Sequence, residues 1–398
     1  MKIYEYWIKI GERLKKMRII HIASHKGNIG DIFNHAGFYQ YLDKIFDKKY
    51  SIEKIELRDF YYSAKNKKNF DKVFADYINT FDLCIIGGGG FFDAQWDNSQ
   101  TGTTLDFSVD FINSVKIPVI VNAMGYHEYP DKTNEIICQK FNNFLNKILD
   151  KSNWLVSVRN DGSFERIEKR YKNIALNKIL KVPDNAFFTI LQPPRLFNPI
   201  QRESGVIGIC VTNDLFSKYY NGNIKTTDFN RIIANFVNNQ AKCQRKIIFF
   251  PHTPDDINTI NEVLRYVDGY TKRNQIVIAP FEASDIQSVY NLAEYYKRCD
   301  FIIGMRFHSI IMGINLNIPT IALAGHQQIE GLFSELNLSD FCIKVNKTDI
   351  DEKLNVIINN LLNDNSIEKR YALIYRKLNS EKIFYLKNLK DFIESSLY

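Results

Sequence analysis

The chain has 398 residues, of which 45% are hydrophobic and 14% aromatic, so it can fill two cores and is not a disordered protein. Fifty-two Lys and Arg against 45 Asp and Glu leave a net charge of +7 spread along the chain, which favours anionic ligands or membrane surfaces but is no signature of nucleic-acid binding. The six cysteines stand singly without metal-ligand spacing, so we expect buried, reduced thiols and no bound metal.

The N-terminal stretch MKIYEYWIKIGERLKKM carries a charge every few residues and lacks the apolar core of a signal peptide. No other stretch is long and apolar enough to cross a bilayer, so we expect a cytoplasmic protein. Trp7 and Leu14, with the neighbouring lysines, could form an interfacial helix, although a helix docked on the protein is the simpler reading. Any membrane contact would be peripheral, at the inner face, through basic N- and C-terminal helices.

After residue 17 short apolar runs alternate with stretches of helical periodicity, which is the pattern of a parallel sheet covered by helices. The first half predicts five strands, near RIIHIA, IEKIEL, DLCIIG, IPVIVNA and WLVSVR. Residues 186–205 contain three prolines and interrupt the alternation, so we place a linker there. The second half predicts about five more strands, near VIGICV, KIIFFP, QIVIAP, FIIG and PTIALA.

These elements predict an α/β protein with two Rossmann-like domains that face each other across a cleft. The expected boundaries are residues 1–190 for the first domain and 203–345 for the second. From residue 349 to 398 no strand pattern remains, and the apolar spacing predicts a helical tail that packs across the junction.

Open parallel sheets bind ligands beyond the carboxyl ends of their strands, so the residues after each apolar run are the candidates for a site. In HKGNIGD, after the first strand, Asn28 or Asp31 could cap the next helix, and a plain strand-to-helix turn with Asp31 as N-cap explains the segment as well as a ligand does. Four consecutive glycines, residues 87–90, follow the third strand without a P-loop or dinucleotide fingerprint. Four glycines in a row lose much conformational entropy on folding, so we expect them to serve a purpose, namely the close approach of a ligand or of the other domain to the backbone.

Basic side chains follow three further strands. His127 falls in a predicted loop and by itself does not indicate a site. Arg159 lies at the end of a strand and is either a surface residue or one that faces the cleft. In the second half His252 directly follows a strand, where open-sheet sites form. Asp255 and Asp256, just after it, have an ordinary explanation as charges at a helix N-terminus.

The stretch FIIGMRFHSIIMGI places Arg306 and His308 between a buried strand and a helix too apolar for the surface. Both therefore lie at a helix N-terminus, whose free N–H groups and dipole favour an anion. Arginine adds a bidentate fork for carboxylate or phosphate, and histidine adds a proton donor near neutral pH. The alternative is an arginine paired with the other domain and a histidine hydrogen-bonded in the core.

In their order and spacing, five motifs resemble the polysaccharide pyruvyltransferase family: GNIGD, IIGGGG, SVRNDGS, FFPH and GMRFHSIIMGINLNIPTIAL. The resemblance covers roughly residues 18 to 340. It implies a GT-B-like fold of two Rossmann domains, with phosphoenolpyruvate as donor substrate and no cofactor. It also implies transfer of the enolpyruvyl group to sugar hydroxyls, which forms a pyruvate ketal on a cell-surface polysaccharide or a lipid-linked or other glycan precursor.

The resemblance implies that Arg159, Arg306 and His308 belong to the donor site, with His308 as general acid and His252 in reserve. The second domain would be the donor side and the first the acceptor side. The substrate-binding candidates are Asn28, Gly30, Asp31, Gly88, Gly89, Gly90, Asn122, Gly125 and Ser309. The sequence departs from the family pattern in two respects: Asn160 replaces the usual aspartate, and Gln327 and Gln328 stand where a lysine is expected. These departures imply altered donor binding or a different donor.

Two other functions remain open. A GT-B glycosyltransferase using a nucleotide sugar would direct the same arginine and histidine at a diphosphate. A non-catalytic sugar-binding component of a glycan-assembly complex would need neither Arg306 nor His308, so the intact Arg-x-His element argues against this function. Neither alternative requires a metal.

Overall fold

The computed structural model describes residues 16–191, 205–214, 224–345, 349–363 and 366–397. These residues form two parallel six-stranded sheets, one in each half of the chain, so the expected α/β class with two Rossmann-like units is confirmed. The predicted N-terminal helix and most of the predicted linker lie outside the described residues. No helix among the described residues is long and apolar enough to cross a bilayer.

The first sheet has the strand order β2-β1-β3-β4-β5-β6, and every neighbouring pair is parallel. Its strands are β1 (Met17–Ala23), β2 (Tyr50–Glu56), β3 (Leu83–Ala94), β4 (Val119–Glu128), β5 (Trp154–Arg159) and β6 (Ile179–Val182). The helices of this half are α1 (Ile29–Phe46), α2 (Lys72–Ile78), α3 (Val109–Ser114), α4 (Glu135–Leu149) and α5 (Ser163–Arg170). Short 3-10 turns occupy Leu57–Phe60, Leu176–Lys178 and Asn185–Phe188.

The second sheet has the order β9-β8-β7-β10-β11-β12, which is the order of dinucleotide-binding Rossmann sheets. Its strands are β7 (Val206–Cys210), β8 (Lys246–Phe249), β9 (Ile276–Ile278), β10 (Phe301–Gly304), β11 (Thr320–Ala324) and β12 (Cys342–Lys344). Its helices are α6 (Thr226–Lys242), α7 (Pro254–Leu264), α8 (Gly269–Asn274), α9 (Ile286–Tyr296), α10 (Phe307–Asn315) and α11 (Gln327–Glu335), with a 3-10 turn at Ser339–Phe341. Two further helices follow, α12 (Ile350–Asn363) and α13 (Ser366–Leu397).

Three local expectations need correction. Each sheet has a sixth strand that the sequence analysis missed, β6 with the sequence ILKV and β12 with CIK. The glycine run does not follow the third strand but is part of β3, which is irregular between Gly89 and Phe92 where it pairs with β4. His127 is likewise not in a loop, because β4 continues to Glu128. Gly90 of β3 and His127 of β4 therefore reach the cleft as parts of long strands.

Helices α1 and α13 belong to the cores of both halves. The start of α1 packs Ile29 and Phe33 among side chains of the second half, and its later turns pack Phe38 against the first sheet. Helix α13 packs Leu378 with the second half and Leu389 with the first. Hydrogen bonds from backbone N–H groups at the start of α1 to backbone carbonyls of the second half, from Ile29 to His252 and from Gly27 to Ala283, add to this connection. The cleft walls therefore share buried apolar surface.

Candidate active site

A pocket of about 200 Å³ lies between the two halves, at the carboxyl ends of the strands. In both sheets it lies where the strand order reverses, between β1 and β3 and between β7 and β10. This is where open α/β sheets bind ligands. Twelve residues line it: Asn28, Asp31, Gly90, His127, Tyr129, Arg159, His252, Arg306, Phe307, His308, His326 and Gln328. Seven of these residues were predicted as site residues from the sequence.

Arg306 is the N-cap residue of α10 and is held within the second half. Its Nε donates to Asp256 at 3.0 Å, and its Nη2 donates to Asp256 at 2.6 Å and lies 2.9 Å from Asp214. Thr212 and Thr253 also accept from Nη2. Burial alone would lower the pKa of the guanidinium, but the two carboxylates raise it above its ordinary value. The arginine is therefore a fixed cation whose Nη1 has no hydrogen-bond partner among the described residues.

Arg159 leaves the end of β5 and crosses to the second half. Its Nε donates to Asp161 at 2.6 Å, and its Nη1 lies 3.6 Å from Asp184. Its Nη2 donates to Gln328 at 2.5 Å, and the guanidinium carbon lies 4.2 Å from the centre of the Phe307 ring. The two carboxylates belong to the first half, whereas the amide and the aromatic ring belong to the second. Arg159 is therefore a cleft residue and not a surface arginine.

His308 lies in the first turn of α10, with its Nε2 3.4 Å from Oδ2 of the fully buried Asp184. This is an ion-pair distance without hydrogen-bond alignment, since neither atom has a hydrogen-bond partner among the described residues. Burial would raise the pKa of Asp184, but His308, Arg159 and the N–H of Ala186 lower it to about 2. Asp184 is thus a buried carboxylate of the first half that faces two pocket side chains, Arg159 and His308.

Three other histidines line the pocket, and burial lowers the pKa of two of them, His252 and His127. Burial lowers the pKa of His252 to about 3, because the opposing charge of Asp256 is not enough to offset it. Its Nε2 is 2.8 Å from the Tyr296 hydroxyl, which leaves Nδ1 without a described partner. Burial and the charges of His326 and Arg159 lower the pKa of His127 well below its usual range. Both rings are neutral at pH 7.

The start of α1 contributes an amide and a carboxylate. Of the two residues predicted as possible caps, Asn28 is the N-cap, with its Oδ1 accepting from the N–H of Gly30 at 2.9 Å, and the alternative with Asp31 as cap is wrong. Asp31 instead lines the pocket, 4.0 Å from the Nη2 of Arg58. Burial raises the pKa of its carboxyl, although His308, Ser24 and the nearby arginines oppose the shift. The pocket thus contains a carboxylate that takes up a proton more readily than usual.

Two glycines make room for the site side chains. A Cβ at Gly30 would lie 2.4 Å from Nδ1 of His308, and one at Gly125 would lie 2.7 Å from Nη2 of Arg159. Atoms do not approach so closely without movement, so each position requires glycine to keep its partner in place. Gly30 and Gly125 therefore position site residues and do not line the pocket themselves.

Four other predicted substrate-binding residues do not line the pocket. Gly88 and Gly89 face side chains of their own half, because a Cβ there would lie 2.5 Å from Asn34 and 2.7 Å from Phe91, respectively. Asn122 accepts a hydrogen bond from the hydroxyl of Tyr385 in α13, and Ser309 donates to the backbone carbonyl of Arg306. The close approach expected at the glycine run is therefore mostly packing within the first half, and only Gly90 of the three named glycines lines the pocket.

The sequence analysis missed the carboxylates that hold the arginines. Asp161 and Asp184 are fully buried on the first half, and Asp256 is fully buried on the second. The acidic residues at the start of α7 had been read as ordinary helix charges, yet Asp256 both accepts from the N–H of His252 and pairs with Arg306. Gln328 had been noticed only as a departure from a family pattern. The sequence signal that could have identified these acids is their position, because each one lies shortly after the end of a strand.

The pocket can bind a small anion and move a proton. Two arginines from opposite walls and the N-terminus of α10 face it, and a histidine and a carboxylate lie on its lining. No group of three His, Cys, Asp or Glu side chains in the described ranges has the geometry to hold a metal ion. The arrangement suits acid–base chemistry on a compact anionic substrate.

The family model described as Polysaccharide pyruvyl transferase matches residues 28–327 of the chain. Among solved structures, UDP-GlcNAc 2-epimerase from Neisseria meningitidis bound to UDP-GlcNAc is similar, with a TM-score of 0.55, 13% identity, and coverage of 94% of this chain and 100% of that one. A glycosyltransferase from Rickettsia africae has a TM-score of 0.55, 14% identity, and coverage of 96% and 100%. The S. aureus MnaA-UDP co-structure has a TM-score of 0.51, 11% identity, and coverage of 89% and 90%.

At these identities the structural likeness shows the fold alone, and it confirms the GT-B-like arrangement of two Rossmann-like units with a helical C-terminal tail. None of the curated proteins compared matches the chain in sequence. The match of the family model covers strands β2 to β11 and every residue that lines the pocket except Gln328, which follows directly after it.

Proposed function

This chain belongs to the polysaccharide pyruvyl transferase family, and from that premise we propose that it transfers the enolpyruvyl group of phosphoenolpyruvate to two hydroxyls of a sugar. The product is a cyclic pyruvate ketal on a polysaccharide of the cell envelope or on its precursor. We assign donor binding to the central pocket, with Arg159 and Arg306 as its cationic walls.

The observation that carries the proposal is that cations from both halves meet at one small pocket. Arg159 comes from β5 and Arg306 from the loop after β10, and each is held in place by buried carboxylates. Phosphoenolpyruvate carries a carboxylate at one end and a phosphate at the other, so two separate guanidinium groups match its two charges. A pocket of about 200 Å³ suits a donor of this size.

The reaction needs one proton delivered and two protons accepted. A sugar hydroxyl adds to C2 of the donor while a proton goes to the C3 methylene carbon. The bond between C2 and the phosphate oxygen then breaks, phosphate leaves, and a second hydroxyl bonds to C2 and loses its proton. We assign proton delivery to His308, and proton acceptance to Asp31, whose pKa is raised by burial.

A nucleotide-sugar glycosyltransferase remains the second candidate, because the names of two similar structures include UDP or UDP-GlcNAc. Pockets for drug-sized ligands usually have roughly 300–1,000 Å³, and the central pocket is smaller. Gln328 and Phe307 also contact Arg159 across the cleft, so the two walls meet at this pocket. The size of the pocket therefore favours the compact donor.

Thermal unfolding with added ligand separates the two donors. We expect phosphoenolpyruvate to raise the unfolding temperature while UDP and UDP-GlcNAc leave it unchanged, since a ligand that binds only the folded state stabilises it. Incubation with phosphoenolpyruvate and candidate glycosides should then release phosphate and increase the sugar's mass by that of a ketal-linked pyruvate. Stabilisation by UDP without any response to phosphoenolpyruvate would select the glycosyltransferase instead.

A further inference from the structure

Apart from the central pocket, the first half has a groove between the segments that follow β2 and β3, which we call the aromatic groove. It has a volume of about 410 Å³ and is lined by side chains that include Tyr61, Tyr62, Lys67, Trp96, Asp97 and Asp106. The Tyr62 side chain is 66% exposed and that of Trp96 is 37% exposed. Single exposed aromatics are ordinary, but two of them at one groove offer a combined apolar surface to a ligand.

The aromatic groove is rigidly built around a buried carboxylate. Asp93, 6% exposed near the end of β3, accepts from the indole Nε1 of Trp96 at 2.7 Å and from the amide of Gln95 at 3.0 Å. It also accepts from both the N–H and the hydroxyl of Thr104, at 2.8 and 2.7 Å. These bonds fix the plane of the indole ring and the loop that carries it. A fixed ring of this kind binds a flat ligand face with little loss of entropy.

The charges of the aromatic groove favour a neutral ligand. Lys67 brings a cation to the lining, but Asp106 lies 3.7 Å from its amine, and the amine also stands 4.4 Å from the centre of the Tyr62 ring. Asp97 adds a further carboxylate. A phosphate or nucleotide would therefore meet no unpaired cation on this lining. Hydroxyl groups, in contrast, both donate to carboxylates and accept from ammonium groups.

The aromatic groove and the central pocket are formed in part by neighbouring segments of the first half. Strand β3 passes Gly90 on the pocket and reaches Gln95 and Trp96 on the groove. On the other side, Tyr61 is close enough to Asp93 and Asp31 that both charges, after burial, raise the pKa of its phenol. Asp31 lines the central pocket. The two sites are separate, so reaching both takes a chain-like ligand of several sugar units.

We propose that the aromatic groove binds the acceptor glycan, with the pyranose faces of consecutive neutral sugar units stacked on Trp96 and Tyr62 and the terminal unit directed at the central pocket. One face of a hexopyranose presents C–H groups of slightly positive charge, which suit the negative face of an aromatic ring. The ring hydroxyls project sideways, toward the carboxylates and amides at the rim. The inference rests on the proposed function for the identity of the reacting unit, but the binding itself does not depend on turnover.

Saturation-transfer NMR on the whole protein, without donor, tests the proposal. The probes are maltotetraose, chitotetraose, mannotetraose and galactotetraose. Saturation of aromatic protons should pass to C–H protons on one face of the pyranose rings of at least one probe. Tyr62→Ala should weaken that binding about tenfold, because the exposed ring is removed. Trp96→Ala should weaken it at least as much.

The control is Tyr270→Ala, which removes a tyrosine that is 68% exposed on α8 of the second half and should leave binding unchanged. Trp96→Ala also removes a hydrogen bond to Asp93, so Tyr62→Ala keeps the test valid if the tryptophan variant does not fold. The proposal is overturned if no probe receives saturation, or if a bound probe is equally tight in Tyr62→Ala. If a sugar binds in the groove but no phosphate is released from phosphoenolpyruvate, the proposed reaction is wrong and the proposed sugar-binding role of the groove stands.

Discussion

At the scale of single residues, His308 and His252 line the same pocket but differ in what holds their rings. His308 faces the carboxylate of Asp184 at 3.4 Å, whereas His252 faces the hydroxyl of Tyr296 and has a pKa of about 3. We expect His308→Asn to lower turnover by about a hundredfold or more, since asparagine cannot deliver the proton. Donor affinity should change little, because both arginines remain. Phosphate release measured at saturating and limiting donor separates the two parameters.

His252→Asn is the matched variant. A ring that is neutral at pH 7 is a weak proton donor, so this change should reduce turnover much less than His308→Asn. Circular dichroism of both proteins confirms that they fold. Loss of turnover in His252→Asn with near-normal turnover in His308→Asn would transfer the role of acid to His252.

Removing a site arginine should affect folding as well as binding. Arg306→Ala would leave Asp256 and Asp214 without their cation, and breaking a buried pair costs about 3–5 kcal/mol of the free energy of unfolding. Arg306→Lys keeps the charge but loses the fork, so it should fold and weaken donor binding by about 1–3 kcal/mol. Calorimetry with phosphoenolpyruvate and urea unfolding measure the two effects. Arg265→Lys, at a 71% exposed side chain, is the control and should change neither.

Stability should depend on pH through a buried histidine cluster of His21, His25 and His35, whose ring centres lie 4.8–5.2 Å apart. Burial, and then the charge of His25, lower the pKa of His35 from 6.5 to about 3. Between these two values the unfolded chain binds a proton that the folded protein does not, so the free energy of unfolding rises with pH and levels off above about 6.5. Urea unfolding from pH 4 to 8 measures this slope. His35→Gln should make it shallower; an unchanged slope would exclude His35 as a source.

At the scale of secondary-structure elements, the contact of α1 with α10 depends on glycine. A Cβ at Gly30 would lie within 2.7 Å of three His308 ring and side-chain atoms. We expect Gly30→Ala to displace the ring and lower turnover by about tenfold or more, because small misplacements of a catalytic group are costly. Gly269→Ala in α8 is the control, since the nearest neighbour of its Cβ is the end of an arginine at 3.5 Å. Equal activity of the two variants would contradict the role given to Gly30.

The elements with long apolar runs were predicted from the sequence, as were the basic residues that follow them. Arg159, His252 and Arg306 were found in this way, because a strand end marks the edge of a parallel sheet. The edge strands β6 and β12 were missed, since ILKV and CIK are short and partly exposed. Missing β6 also concealed Asp184, which follows that strand by two residues. Asp184 and Asp256 are distant in sequence from the arginines that they hold, so their pairing is known only from the fold. Asp161 lies only two residues from Arg159, and nothing in the motif distinguishes this pair from two solvent-exposed charges.

At the scale of the whole molecule, the two halves should unfold together. Helix α13 packs Leu378 in the core of the second half and Leu389 in that of the first. Leu389→Ala should lower the free energy of unfolding by about 2–5 kcal/mol, as for other buried leucines, and both sheets should lose protection from hydrogen exchange by the same amount. Ile383→Ala, at a 68% exposed position of the same helix, should have little effect. Loss of protection confined to the first sheet would show that the halves unfold separately.

Helix α13 follows both sheets in the chain, so the ribosome synthesises it after every strand that it covers. Until it emerges, the face of the first sheet that carries Ile19, Leu83 and Ile120 lacks the cover that Tyr385 and Leu389 supply. Nascent chains that expose such surfaces are prone to aggregate and are typical clients of chaperones. The first half, although translated first, therefore completes its folding last, and ribosome-bound chains stalled before α13 should bind chaperones through this face.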